Sequence, residues 1–203
     1  LQPTIDGDWV VWVHHDDYNL GHPNINDLYA RNVVTGELRQ ITADGGAVQQ
    51  EQPAISGTKI VWDVNGSHNT SLFEYDLSTG QTQGIADSDN GQNVDIEGNT
   101  VVWFQSSTQQ IFMHDLSTGI TQQVSSSSGN VFRPRVSSGH IVWQDWRDGS
   151  PAIYQNRLGD RAQVLANTYS PLLILHQDEI FEPKPIEMAL QMPGAMLRDA
   201  KNQ

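Results

Sequence analysis
Apolar and polar residues alternate in short bursts along most of the chain, and the bursts recur. Ile5-Asp6-Gly7-Asp8-Trp9-Val10-Val11-Trp12 returns as Ile55-Ser56-Gly57-Thr58-Lys59-Ile60-Val61-Trp62 and as Ile96-Glu97-Gly98-Asn99-Thr100-Val101-Val102-Trp103. The fourth copy is Val136-Ser137-Ser138-Gly139-His140-Ile141-Val142-Trp143. The closing tryptophans follow one another at steps of 50, 41 and 40 residues. Each copy reads as a strand, a glycine turn and a second strand rich in β-branched residues. Polar loops lead to further period-2 stretches at 27–32, 71–76, 110–115 and 152–157. Turns at Gly36, Gly80, Gly119 and Gly159 come next, where glycine takes a positive φ without steric cost. Short closing strands such as 37–42 and 120–124 end the units, giving four strands per repeat of about 40 residues. The first unit is longer because residues 18–26 expand its central loop, an insertion that decorates a face without altering the fold.

This pattern predicts an all-β chain of four blades near 2–50, 51–91, 92–130 and 131–166. A non-repeat segment, 167–203, follows. The apolar strand, glycine, β-branched pair and tryptophan, followed by Asp76-Leu77-Ser78-Thr79-Gly80 and Asp115-Leu116-Ser117-Thr118-Gly119, resemble TolB-type β-propeller repeats. Blade four carries that family's central hairpin most fully, from Trp143-Gln144-Asp145-Trp146-Arg147-Asp148-Gly149 to Tyr154. The resemblance spans roughly 165 of 203 residues. It implies a secreted, periplasmic or cell-surface binding scaffold and a ring that commonly closes with six or seven blades. Four copies are therefore read as a four-bladed ring, as part of a larger one, or as a ring completed by another chain.

Composition narrows the function. A net charge of −13 argues against a phosphate-backbone partner, since the few Lys and Arg are scattered. The longest apolar run, Pro171-Leu172-Leu173-Ile174-Leu175, is far below the ~20 residues of a membrane span. Absence of Cys removes disulfide and thiolate chemistry. The opening of the chain inside a repeat is read as a processed or truncated end. Nucleophile-elbow, phosphate-loop, dinucleotide and zinc-protease motifs are all missing, so no catalysis and no cofactor are expected.

Trp12, Trp62, Trp103 and Trp143 share one repeat position and are expected to pack between blades, each burying on the order of 200 Å². Trp9 and Trp146 lie off that register and are read first as core or rim residues and second as an exposed aromatic contact. Asp145 and Asp148 around Arg147 are expected to form a hairpin ion pair rather than a catalytic dyad. The His14-His15-Asp16-Asp17 cluster with Asn24, Asn26 and Asp27 is a solvated hairpin end in the main reading. As a metal site it would use His15, Asp17 and Asp27 on a hard ion such as calcium. Because the first strand of each propeller blade lines the central channel, the equivalent positions Gln2, Gln52, Asn93 and Arg133 form the candidate ligand site at its mouth. The two sequons at Asn65 and Asn69 matter only in a glycosylating host, and the serine run 125–128 reads as a flexible connector.

In the tail, Tyr169, Pro171, His176, Glu179 and Pro183 faintly resemble the opening of a vacuolar-sorting-related domain, and helical spacing at Ile186, Ala189 and Leu190 is cut by Pro193-Gly194. The expected function is a non-catalytic scaffold binding a protein or glycan. Self-assembly through blade edges or tail is one alternative, and a non-catalytic part of a larger hydrolase is the other.

Overall fold
The computed structural model describes residues 3–15, 26–43, 49–65, 72–88, 90–158 and 171–173. Every element among them is a strand. The strands form four antiparallel four-stranded sheets with sequential order. Blade one holds β1 (Thr4–Asp6), β2 (Trp9–His15), β3 (Asn26–Asn32) and β4 (Leu38–Gln40). Blade two holds β5 (Gln49–Ser56), β6 (Lys59–Asn65), β7 (Leu72–Asp76) and β8 (Gln81–Gly84). Blade three holds β9 (Gly91–Glu97), β10 (Thr100–Gln105), β11 (Gln110–Asp115) and β12 (Ile120–Gln123). Blade four holds β13 (Val131–Ser137), β14 (His140–Asp145) and β15 (Ala152–Arg157), with β16 (Pro171–Leu173) outside them. That last strand pairs irregularly with β15 and comes from the segment the sequence sets apart as non-repeat.

The repeat tryptophans explain why blades of this sequence stack. Each pairs across the sheet with an aromatic of the third strand: Trp12 with Tyr29, Trp62 with Phe73, Trp103 with Phe112 and Trp143 with Tyr154. All four pairs are stacked at centroid distances of 5.9–6.4 Å. Trp62, Trp103 and Trp143 are 2%, 0% and 1% exposed. Burial of an indole requires a partner for its N–H. Trp103 donates to Gln105, Trp143 to Asp145, and Trp62 to Gln50 on the neighbouring strand.

Strand alternation then gives each blade two faces. Val11, Val13, Leu28 and Ala30 of blade one meet Ile60, Trp62 and Val64 of blade two. On the other side of blade two, Val61 and Leu72 meet Val101 and Trp103, while Val102, Phe104 and Ile111 meet Ile141 and Trp143. The packing of blade three on blade two is close enough that a Cβ on Gly91 would stand 2.9 Å from the Trp103 ring and 3.0 Å from a Ser88 carbonyl, which selects glycine there.

Polar groups repeat as faithfully as apolar ones. The amides of Leu28, Leu72 and Ile111 donate to the hydroxyls of Thr42, Ser88 and Ser125, which lie just beyond the outer strands. Ser125 is buried, and Ser127 donates to Asp145 at 2.6 Å, so the serine run is a hydrogen-bonded strut and not the free connector its composition predicts. Buried amides demand such partners. The Asp-Leu-Ser-Thr-Gly turns work similarly, with Asp76 accepting from Ser78, and Asp115 from Ser117 and Thr118. Those bonds hold both carboxyls below their ordinary range.

Consecutive blades are also latched at the turn between their first two strands. The Gly57 amide donates to Asp6 at 2.6 Å, Gly98 to Ser56 at 2.9 Å, and Ser138 to Glu97 at 2.8 Å. Asp6 and Glu97 thus serve as acceptors for backbone N–H groups across blade junctions.

Candidate functional site
The inner strands β1, β5, β9 and β13 are the edge strands that pack on one another from blade to blade. Their pairing with the second strands is interrupted once in three blades: between Glu51 and Ala54, between Gln92 and Asp95, and between Phe132 and Arg135. At each interruption one residue turns into the left-handed region, Gln52 at φ 42°, Asn93 at 57° and Arg133 at 52°. These are three of the four positions picked out by the repeat alignment. The fourth, Gln2, lies outside the described residues.

The bulge has a physical cause in two blades, because Pro53 and Pro134 follow directly and cannot donate to the ladder. Pro53, Val94 and Pro134 turn inward and are buried, while Gln52 and Asn93 are half-buried and Arg133 is exposed. A non-glycine side chain in this region costs roughly 1 kcal/mol or more. The repeat therefore holds two amides and a guanidinium in a strained conformation on successive inner strands. Together they offer donors at all three positions and acceptors at two, a set suited to peptide or sugar groups.

One residue beside this row was missed by motif reading. Asp63 follows the repeat Trp62, where the other blades have Val13, Phe104 and Gln144. Its carboxylate accepts from the Asn93 amide at 3.1 Å, which ties blade two to the bulge of blade three. The side chain is buried and its Oδ1 has no hydrogen-bond partner. Burial, with a smaller contribution from the facing Glu51, pushes its pKa up to about 7. Comparing the repeats column by column would have exposed this acid at an otherwise uncharged position. Asp95, on the inner strand of blade three, accepts from the Val136 amide of blade four at 2.9 Å, and burial raises its pKa as well.

An acid whose folded pKa lies above its unfolded value of about 3.8 binds more protons folded than unfolded in between. Stability from Asp63 is fully present below the unfolded value and is lost as pH rises toward about 7. Asp63→Asn keeps the acceptor for Asn93 and removes the charge. It should raise stability at pH 8 by on the order of 2 kcal/mol and leave it nearly unchanged at pH 4, as read by urea unfolding at both pH values.

For the candidate cation site, the side chains of His15 and Asp17 lie outside the described residues. Asp27 is engaged with Gln40 at 2.9 Å and with Thr42. Among the described residues no group of three or more His, Asp or Glu is arranged to hold a metal. Asp145 and Arg147 form the expected ion pair, with Asp148 accepting from Tyr154 at 2.8 Å. Trp9 packs at the rim of the first junction under Arg39, and Trp146 is exposed. A cleft of about 230 Å³ lies between blades three and four, lined by Met113, Asp115, Gln122, Asn156 and Arg157. It is below the usual size of small-molecule pockets.

No family model matches the chain, and no curated protein does. Solved structures do. TolB from Acinetobacter baumannii aligns over 84% of this chain and 43% of its own, at 19% identity and a TM-score of 0.61. A putative TolB from Agrobacterium tumefaciens aligns over 74% and 58%, at 14% identity and a TM-score of 0.56. The β-propeller domain of the Trilobed protease from Pyrococcus furiosus, which has an open velcro topology, aligns over 86% and 56%, at 14% identity and a TM-score of 0.54. The chain spans less than two thirds of the length of each of these structures. Among the described residues no helix is long and apolar enough to cross a membrane. What this sequence builds is a TolB-like β-propeller fold.

Proposed function
We propose that the chain is a non-catalytic propeller scaffold that binds a protein or glycan partner through its inner strands, outside the cytoplasm. The observation that carries this reading is the recurrence of a strained, polar residue at Gln52, Asn93 and Arg133. Strain of this kind persists where the surroundings over-determine it, and glycine would serve a purely structural bulge at lower cost. The missing catalytic motifs agree with a binding role, and the family resemblance supplies the extracytoplasmic setting.

The same strain provides a clean test. Gln52→Gly, Asn93→Gly and Arg133→Gly together remove all three side chains while keeping backbone angles that glycine adopts freely. The triple variant should unfold within about 1 kcal/mol of the wild type. Ligands selected by the wild type from a carbohydrate array and a peptide display library should bind it at least about tenfold more weakly. Undiminished binding would move the site away from the inner strands.

A further inference from the structure
The junction between blades two and three differs from its neighbours at its inner end, and we propose that Glu51 and Asp63 hold a hard divalent cation there, of the calcium type. The repeats provide an internal standard. Glu51 stands directly opposite Asp63 where β5 pairs with β6. The equivalent cross-strand pairs are Gln92 with Phe104 in blade three and Phe132 with Gln144 in blade four. Of these three blades, blade two alone sets two acids across from one another. Side chains so placed share a face, with Cβ atoms about 4.5–5.5 Å apart, and like charges there repel.

Among the described residues no basic side chain offsets that repulsion. Their ion pairs join Arg39 to Glu37, Lys59 to Glu74 and Arg147 to Asp145, and none reaches Glu51 or Asp63. Lys59 lies on the same strand and face as Asp63, but Glu74 engages its ammonium at 2.7 Å. Asp63 is only 4% exposed. Its Oδ2 accepts from the Asn93 amide at 3.1 Å, and its Oδ1 has no partner. Buried carboxylates are paired with a cationic side chain or coordinate a metal. With no side-chain cation at hand, the lone pairs of Oδ1 and of the half-buried Glu51 are left for an ion. A water molecule would satisfy Oδ1 and still leave two facing negative charges, whereas a divalent ion answers both.

The donor set chooses the ion. Both acids offer oxygen, and two amide side chains adjoin them: Gln52 follows Glu51, and Asn93 is the residue bonded to Asp63. Carboxylate, amide and water oxygens suit the flexible coordination of calcium better than the rigid octahedron of magnesium. A set without His or Cys is a poor match for zinc. Two acids are fewer than a closed carboxylate cage would bring, so the Kd should be about 0.1–1 mM, the range of weak extracellular sites. Held there, the ion cancels the repulsion inside blade two and braces the bulge at Asn93.

The test is calcium binding by the full chain, read by isothermal titration calorimetry and by thermal unfolding. Calcium chloride at about 10 mM, well above the expected Kd, is compared with sodium chloride of equal ionic strength. Calcium should raise the unfolding midpoint by about 3–10 °C and sodium should not. Asp63→Asn keeps the acceptor for Asn93, and Glu51→Gln keeps the length of its side chain. Each should weaken calcium binding at least about tenfold. Asp87→Asn, at an exposed acid of the same blade, should leave binding unchanged. If Asp63→Asn fails to fold, Glu51→Gln decides alone. No calcium uptake, a midpoint shift matched by sodium chloride, or uptake unchanged in either site variant would overturn the proposal. Equal weakening by Asp87→Asn would overturn it too, since calcium would then follow net charge and not this pair.

Discussion

Replacing Trp103 by Ala should destabilise the protein by about 3–5 kcal/mol, a large share of the roughly 5–15 kcal/mol that holds an ordinary domain folded. The indole is fully buried between blades two and three, against Val61, Leu72 and Val101. It stacks on Phe112 at 6.0 Å and satisfies Gln105 at 2.7 Å. Truncation would leave a cavity, release the Phe112 stack and deprive the buried Gln105 oxygen of its donor. Collapse of the walls is hindered because Gly91 and Leu72 already lie against the ring and belong to two different blades. Trp103→Phe separates these contributions. It retains most of the apolar fill but loses the indole N–H, so its cost should be about 1–2 kcal/mol. Guanidinium unfolding of both variants gives the comparison. Equal losses would mean that packing contributes little beyond the hydrogen bond.

The tryptophan register was legible because it is a property of the sequence repeat: one residue type at one position of each copy, with a β-branched residue preceding it. Which side chain completes the stack was not read, although Tyr29, Phe73, Phe112 and Tyr154 recur as regularly. Recognising them requires the register between strands, and a loop of variable length separates the two strands in every blade. The inner bulge was half-legible. Repeat alignment selected Gln52, Asn93 and Arg133, and the prolines after Gln52 and Arg133 were the signal for a break in the ladder. In blade three, Val94 stands where a proline would announce the same turn, so only the structure shows it.

The serine run failed for a different reason. Composition describes what a segment would do in isolation, and four serines in isolation are flexible. Ser125 and Ser127 are ordered by what approaches them, the Ile111 amide and the Asp145 carboxylate. Neither partner lies within a dozen residues.

Asp145→Ala should cost about 3–5 kcal/mol, the penalty of breaking a buried charged pair from one side. The carboxylate is fully buried at the end of β14. Its Oδ1 accepts from Ser127 at 2.6 Å and from the Arg147 amide at 2.9 Å. Its Oδ2 accepts from the Trp143 indole at 3.2 Å and from Arg147 Nε at 3.0 Å, with Arg147 Nη2 also in contact. Arg147 in turn lies 4.0 Å over the Tyr154 ring. One side chain thus joins the serine strut, the repeat tryptophan and the hairpin turn. Burial alone would push this carboxyl up, but the bonds from Arg147, Ser127 and Trp143 outweigh it and hold the pKa below the ordinary value. The sign is opposite to that of Asp63. An acid with a lowered folded pKa contributes stability that is present above about pH 4 and lost as pH falls through the folded value. Asp145→Asn, which keeps one acceptor but not the charge, should therefore be markedly less stable than wild type at pH 7. The difference should narrow as pH falls below 4, where the wild-type carboxyl takes up its proton. Urea unfolding of both proteins from pH 3 to pH 8 would show it. A gap that stayed constant across that range would mean that the geometry of the network, and not the charge shared with Arg147, holds the hairpin in place.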